Sequence, residues 1–273
     1  MKSLTLINRI YSRSVRLPFG WRMRRFLSHA INTCTLRYKR VSGQSQVLMD
    51  LEEKGYAVIG HLTDTNLHYL SSLVRNNIGS ESEDESNQNL KAGIFYAEES
   101  SIVRDTVFRK IIKEHNINVI ADQYLKVKSK VIGCAAWLTS PTEHKLPVNA
   151  QNFHRDIDSI RWLKFFIYLT DVGPNNGPHI FVPTSHKNNV YKKYARLSED
   201  DLNLKNMKSI EICGKAGTIL AVDTYGIHRG KQVLQNERLL AQVTFGTLPV
   251  VYKSYPTIDN ISPSELDLWS YYT

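Results

Sequence analysis

A histidine and an aspartate stand two residues apart in Phe153-His154-Arg155-Asp156, just ahead of the apolar run Trp162–Tyr168. In an extended strand, side chains at i and i+2 leave the same face, so the imidazole and the carboxylate converge on one point. An H-x-D pair alone is a weak signal, since most such pairs are surface contacts. A second histidine, His228, follows 74 residues later in GTILAVDTYGIHRG, a separation that lets a later strand return beside the first. Two imidazoles and one carboxylate make the facial triad that holds non-heme Fe(II) and leaves positions open for a co-substrate and dioxygen. Zinc prefers four-coordinate sites, often with cysteine or a third histidine. His154, Asp156 and His228 are therefore the predicted catalytic and metal-ligating set.

An iron site of this kind needs an electron donor, and Arg238 offers a seat for a dicarboxylate one. It lies ten residues after His228, at the head of the alternating strand RLLAQVTFG. Leu240, Gln242 and Thr244 would share its face, with Leu239, Ala241, Val243 and Phe245 on the other. An arginine pointing into a barrel makes sense if it meets an anion, because an unpaired buried guanidinium is costly. Its planar fork suits bidentate pairing to a carboxylate.

The two motif blocks, FHRD with LKFFIYLTDV, NNG and PHIFVPTSH, then GTIL, DTYGIHRG and Glu237-Arg238, resemble the phytanoyl-CoA dioxygenase family of Fe(II)/2-oxoglutarate oxygenases. The resemblance spans roughly residues 45 to 250. It implies a mainly β fold with flanking helices, a double-stranded β-helix or jelly roll of the cupin-like kind, with iron at its open end. It implies His154, Asp156 and His228 as ligands, Arg238 on the distal carboxylate of 2-oxoglutarate, and Phe166 beside that co-substrate. Lys164 shares a strand face with Phe166 and Tyr168 and is a candidate second anion contact; a snorkelling surface lysine is the other reading. Halogenases of the family lack the aspartate of the H-x-D pair. Asp156 is present, so the expected reaction is hydroxylation of a small-molecule or acyl substrate by O2, with release of succinate and CO2, although desaturation or ring closure begins with the same hydrogen abstraction. His179 and His186 are expected to make structural hydrogen bonds. His144, Trp137 and Gln151 lie where a loop at the barrel mouth would meet substrate.

These residues need strands to position them, and the sequence provides them after a helical lead-in. VLMDLEEKGYAVIGHLTDTNLHYLSSLVRNNI predicts a helix, a strand over Tyr56–Ile59, and a second helix capped at Thr63 or Asp64. Residues 79–89, GSESEDESNQN, are polar and acidic with no apolar anchor and predict a loop. Residues 103–125 keep helical apolar spacing, and KVKSKVIGCAAWLTS then turns strand-like. Beyond it, short strands alternate with Gly, Pro and Asn turns, the pattern of a sandwich or jelly roll.

Charge separates the chain into two parts. Of 35 Lys and Arg, ten precede Asp50 with no acid among them, leaving 25 bases against 26 acids in the rest. The net charge of +9 thus belongs to a basic N-terminal extension, residues 1–43, ahead of a near-neutral catalytic domain over 44–273. Three readings of the extension stay open: a helical surface docked on the domain, an amphipathic segment on anionic lipid, and a transit peptide. The corresponding locations are cytoplasmic or, for a transit peptide, mitochondrial. No nucleic-acid partner is expected from a neutral domain. No apolar run approaches the roughly 18 residues of a membrane span. Cys34, Cys134 and Cys213 are too far apart to suggest a disulfide framework or a thiolate zinc site. The rival to an enzyme is a non-catalytic jelly roll that uses its basic segment to bind membrane or nucleic acid; a zinc-dependent cupin-like enzyme gives Arg238 no role.

Overall fold

The computed structural model describes residues 45–79, 92–143, 149–156, 158–188, 196–203, 205–250 and 253–273. The predicted basic extension, the acidic loop and His144 lie outside these residues.

The helical lead-in forms as read. Helix α1 (Gln46–Glu53) starts where the Ser45 hydroxyl accepts from the Leu48 amide, and it leads into strand β1 (Tyr56–His61). Helix α2 (Asp64–Asn76) is capped by Thr63, whose hydroxyl accepts from the Asn66 amide at 3.3 Å. Strand β2 (Ile94–Tyr96) follows. The helical stretch over 103–125 is divided into three pieces, α3 (Glu99–Arg104), α4 (Thr106–Glu114) and α5 (Ile117–Leu125). Two local features break it. Asp105 leaves helical geometry to accept the Phe108 amide at 2.7 Å, and Asn116 takes a left-handed φ of 53°.

Six antiparallel strands then form the main sheet. To β1 and β2 are added β3 (Lys130–Thr139), β4 (Trp162–Tyr168), β7 (Thr218–Val222) and β9 (Arg238–Gly246), in the order β1-β7-β4-β9-β3-β2. A smaller sheet runs β6 (Ile210–Ile212), β5 (His179–Phe181), β8 (His228–Gly230), and a short helix α6 (Glu199–Asn203) stands between β5 and β6 in the chain. His154 joins the small sheet's edge as an isolated antiparallel partner of His228.

Strand alternation sorts the two faces of the main sheet. Leu163, Phe165, Ile167, Leu239, Ala241, Val243 and Phe245 pack outward against Phe108, Ile111, Ile112 and Leu125 of the helices. Phe166, Tyr168, Leu220, Val222 and Leu240 point the other way and meet Phe181 and Ile212 of the small sheet. This is a jelly roll with a helical coat on one side and an interior between its two sheets. Every side chain of the predicted site lies on that interior or at its rim.

Candidate metal and co-substrate site

The metal triad is assembled by backbone pairing. His154 and His228 exchange both amide-to-carbonyl bonds, at 2.9 and 3.0 Å, and the Asp156 amide donates to Thr224 O at 2.9 Å. The edge segment and β8 are thereby locked side by side. Their rings sit 4.3 Å apart between centroids. His154 Nδ1 lies 2.8 Å from Asn152 O, and His228 Nδ1 lies 2.9 Å from Gly226 O. A carbonyl only accepts, so Nδ1 of each ring carries the proton and each Nε2 presents a lone pair. Both Nε2 atoms face Asp156, His154 at 3.5 Å from Oδ1 and His228 at 3.5 Å from Oδ2. One ligand atom from each of the three lies within 4.8 Å of the others, as one cation requires.

Electrostatics keep His228 and Asp156 in the ligating state. Burial and then the neighbouring His154 push the His228 pKa down, holding the imidazole neutral. Burial alone would raise the Asp156 carboxyl, but the Lys164 ammonium and His228 override it and hold the group well below the usual carboxylate range. Lys164 Nζ lies 2.7 Å from Asp156 Oδ2 and 2.9 Å from Asp158 Oδ2. The Lys164 ammonium thus pairs with two protein carboxylates, one of which faces both histidines. At 13% exposure the side chain is not the snorkelling surface lysine of the other reading. Asp158 was missed in the sequence, although it repeats the i+2 spacing that picked out Asp156.

Arg238 is buried as well. It is 7% exposed, donates through Nη1 to Gly177 O and through Nη2 to Thr139 Oγ1 at 3.2 Å, and leaves a buried Nε with no partner. No carboxylate among the described residues forms an ion pair with it. Burial without a countercharge lowers its pKa to about 10. An arginine remains protonated even so, which makes this an uncompensated cation inside the fold. The other basic candidate near the motif, Arg229, is spent on Glu199 Oε1 at 2.5 Å and lies over the Phe153 ring. Gly177 shapes the seat: its φ is +70°, and a Cβ there would come within 2.7 Å of Lys231 O and 3.1 Å of Arg238 Nη1.

Two rings stand beside His228. Phe166 takes the interior position the resemblance implied, and His179 sits 5.0 Å from it and 5.3 Å from the His228 ring, nearly parallel to the latter at 14°. Strand pairing explains the approach, because His179 stands opposite Gly230, which has no side chain, and His228 is its diagonal neighbour. His186 makes the structural bond expected of it, Nε2 to Glu52 O at 3.2 Å. His179 does not, for its Nε2 is buried and unpartnered. Trp137 packs at the edge of the interior cluster with its ring 5.8 Å from Tyr96.

The donor set fits a ferrous ion, and the orphaned guanidinium fits a dicarboxylate reaching from it. A jelly roll with such a rim defines the class: an Fe(II)- and 2-oxoglutarate-dependent oxygenase. The family described as Phytanoyl-CoA dioxygenase (PhyH) matches residues 51–236, most of the chain, and the protein belongs to it. No curated protein matches the sequence at a significant level. Among solved structures, the chain is similar to the epimerase SnoN in complex with Fe3+, alpha-ketoglutarate and nogalamycin RO, at 16% identity and a TM-score of 0.61 over 80% of this chain and 91% of that one. It is also similar to HygX from Streptomyces hygroscopicus with nickel, 2-oxoglutarate and hygromycin B, at 13% identity and a TM-score of 0.56 over 81% and 94%. The carbocyclase SnoK from nogalamycin biosynthesis gives 16%, 0.55, 75% and 84%. At these identities the likeness is one of fold.

Proposed function

We propose that His154, Asp156 and His228 bind Fe(II), that Arg238 binds the distal carboxylate of 2-oxoglutarate, and that the enzyme hydroxylates a small organic molecule. The balanced reaction is R–H plus 2-oxoglutarate plus O2 giving R–OH, succinate and CO2. Held by His154, Asp156 and His228, ferrous iron would supply dioxygen activation with 2-oxoglutarate as the reductant. The observation that carries the reading is the pair of Nε2 lone pairs, each fixed by an Nδ1–carbonyl bond, converging on one charged carboxylate.

The remaining residues have positioning roles. Lys164, with Asp158 behind it, holds the Asp156 carboxylate in the rotamer that faces the histidines. Arg238 and Thr139 define one end of the co-substrate, so that its 2-oxo acid end meets the triad in a single orientation. Phe166, Tyr168, Leu220 and Leu240 line the interior and exclude water from the reacting centre. Asp156 occupies the position that family halogenases leave open for chloride, which favours hydrogen abstraction followed by oxygen transfer. SnoN and HygX were crystallised with nogalamycin RO and hygromycin B, and a small-molecule substrate is the corresponding proposal here. Residues 1–43 are proposed as a separable basic segment suited to peripheral contact with an anionic membrane, and the near-neutral charge of the remainder supports that division.

The test is uncoupled turnover. The full chain, given Fe(II), 2-oxoglutarate and O2, should form succinate slowly without substrate and faster with a true one. No succinate under any of these conditions would favour the non-catalytic reading.

A further inference from the structure

The interior holds a polar atom that neither the metal triad nor the arginine seat employs. His179 is 9% exposed, its Nε2 is buried with no hydrogen-bond partner, and its ring lies between the Phe166 and His228 rings. An unsatisfied ring nitrogen inside a fold is costly, and a partner normally removes that cost. Packing alone does not call for nitrogen here. Leucine or phenylalanine would fill the same place between Phe166 and His228 without that cost.

Two unpartnered polar atoms, Arg238 Nε on the main sheet and His179 Nε2 on the small sheet, are thus buried, and the ring of the second is stacked against that of His228. His179 neighbours both ends of the span from the triad to Arg238: its ring stacks on that of His228, and Gly177, two residues before it, accepts from Arg238. We propose that His179 donates an Nε2 hydrogen bond to the bound 2-oxoglutarate, so that the chain holds its co-substrate by a charged fork and a neutral donor together. This rests on the co-substrate reading above. A neutral imidazole with its proton on Nε2 is a single donor, and a carboxylate oxygen is its complement. His179 is accordingly a binding residue for the co-substrate and not a fourth metal ligand: its ring lies parallel to that of His228, stacked face to face, and does not turn edge-on toward the triad.

The experiment is calorimetric titration of 2-oxoglutarate into the full chain loaded with Mn(II) under anaerobic conditions, for wild type, His179→Leu and His179→Gln. Hydrogen bonds to charged groups are the stronger class, so His179→Leu should weaken 2-oxoglutarate binding about 10-fold or more. His179→Gln, whose amide N–H reaches a similar place, should recover most of the affinity. Mn(II) affinity, measured alone by the same method, should be unchanged in both variants. In steady state the KM for 2-oxoglutarate should rise with little change in kcat, a split that a general packing defect would not give. Independently of any variant, 15N-histidine-labelled wild type loaded with Zn(II) should gain a slowly exchanging His179 ring N–H signal on adding 2-oxoglutarate. A dissociation constant for His179→Leu within about 2-fold of wild type, or no such signal in wild type that binds 2-oxoglutarate, overturns the proposal. Failure of wild type itself to bind 2-oxoglutarate in the presence of metal overturns the underlying site reading instead, and the two outcomes are distinct.

Discussion

Replacing Arg238 by methionine should move ligand affinity and apo stability by different amounts, and the difference separates a co-substrate anchor from a structural strut. In the apoprotein the guanidinium has two neutral acceptors, Gly177 O and Thr139 Oγ1, and no carboxylate. Losing those two bonds costs about 1 kcal/mol each. Against this, an uncompensated buried cation is removed, and replacing buried charge by a well-packed apolar side chain of similar length is often neutral or stabilising, by about 1–4 kcal/mol. The second effect falls short of the first by about 1 kcal/mol at its lower end and exceeds it at its upper, so Arg238→Met should unfold in urea within about 1 kcal/mol of wild type or at a higher midpoint. Co-substrate binding should suffer heavily. Truncating one partner of a buried charge pair costs roughly 2–5 kcal/mol, which is 30-fold or more in the dissociation constant of 2-oxoglutarate. Metal affinity should stay close to wild type, since Arg238 touches none of the three ligands. Arg238→Lys should recover part of the loss, because an ammonium keeps the charge without the fork. Pyruvate, which lacks the distal carboxylate, should lose much less than 2-oxoglutarate does. Apo destabilisation of more than about 2 kcal/mol together with unchanged 2-oxoglutarate affinity would refute the reasoning, leaving Arg238 a strut.

Other residues give sharper yes-or-no outcomes. His154→Ala, Asp156→Ala and His228→Ala should each abolish Fe(II)-dependent succinate formation while circular dichroism shows the wild-type fold; wild-type turnover in any of them removes that residue from the site. Thr139→Val, nearly isosteric, should weaken 2-oxoglutarate binding several-fold, corresponding to about 1 kcal/mol, by leaving one guanidinium N–H unpaired; calorimetry reads the change. Gly177→Ala should destabilise the protein by about 1–3 kcal/mol in urea titration, because a left-handed φ and a close approach to Lys231 O and Val233 coincide there. Deleting residues 1–43 should leave succinate formation per folded molecule largely unchanged, and collapse of the truncated chain would show the segment to be part of the core.

The triad was legible because metal ligation fixes both residue type and spacing. His154 and Asp156 are paired by strand alternation, and the turn-bounded segment around His228 announces a strand end. The face assignments of β4 and β9 were legible for the same reason: a period of two leaves Lys164, Phe166 and Tyr168 no other side. Lys164 was placed on the right face, but its pairing with Asp156 was not foreseen, since parity fixes direction and says nothing of what stands 2.7 Å away on another segment. Thr139 was invisible because its contact with Arg238 depends on the β3–β9 register, which pairs the two residues across the sheet. His179 was misread from the Ser-His turn it precedes. Its buried nitrogen follows from the pairing of β5 with β8, a nonlocal fact. The division of 103–125 into three helices turned on Asp105 and Asn116, two residues whose backbone preferences compete with helical periodicity.

Joint binding of ferrous iron and 2-oxoglutarate at this rim can be measured directly. Anaerobic titration of the full chain with Fe(II) in the presence of 2-oxoglutarate, followed by visible absorption, should produce the weak charge-transfer band of a 2-oxo acid chelated to ferrous iron. The band should saturate at one iron per chain, be absent in His228→Ala, and require much more 2-oxoglutarate in Arg238→Met. A wild-type chain that shows no band at saturating iron and 2-oxoglutarate would contradict the central claim.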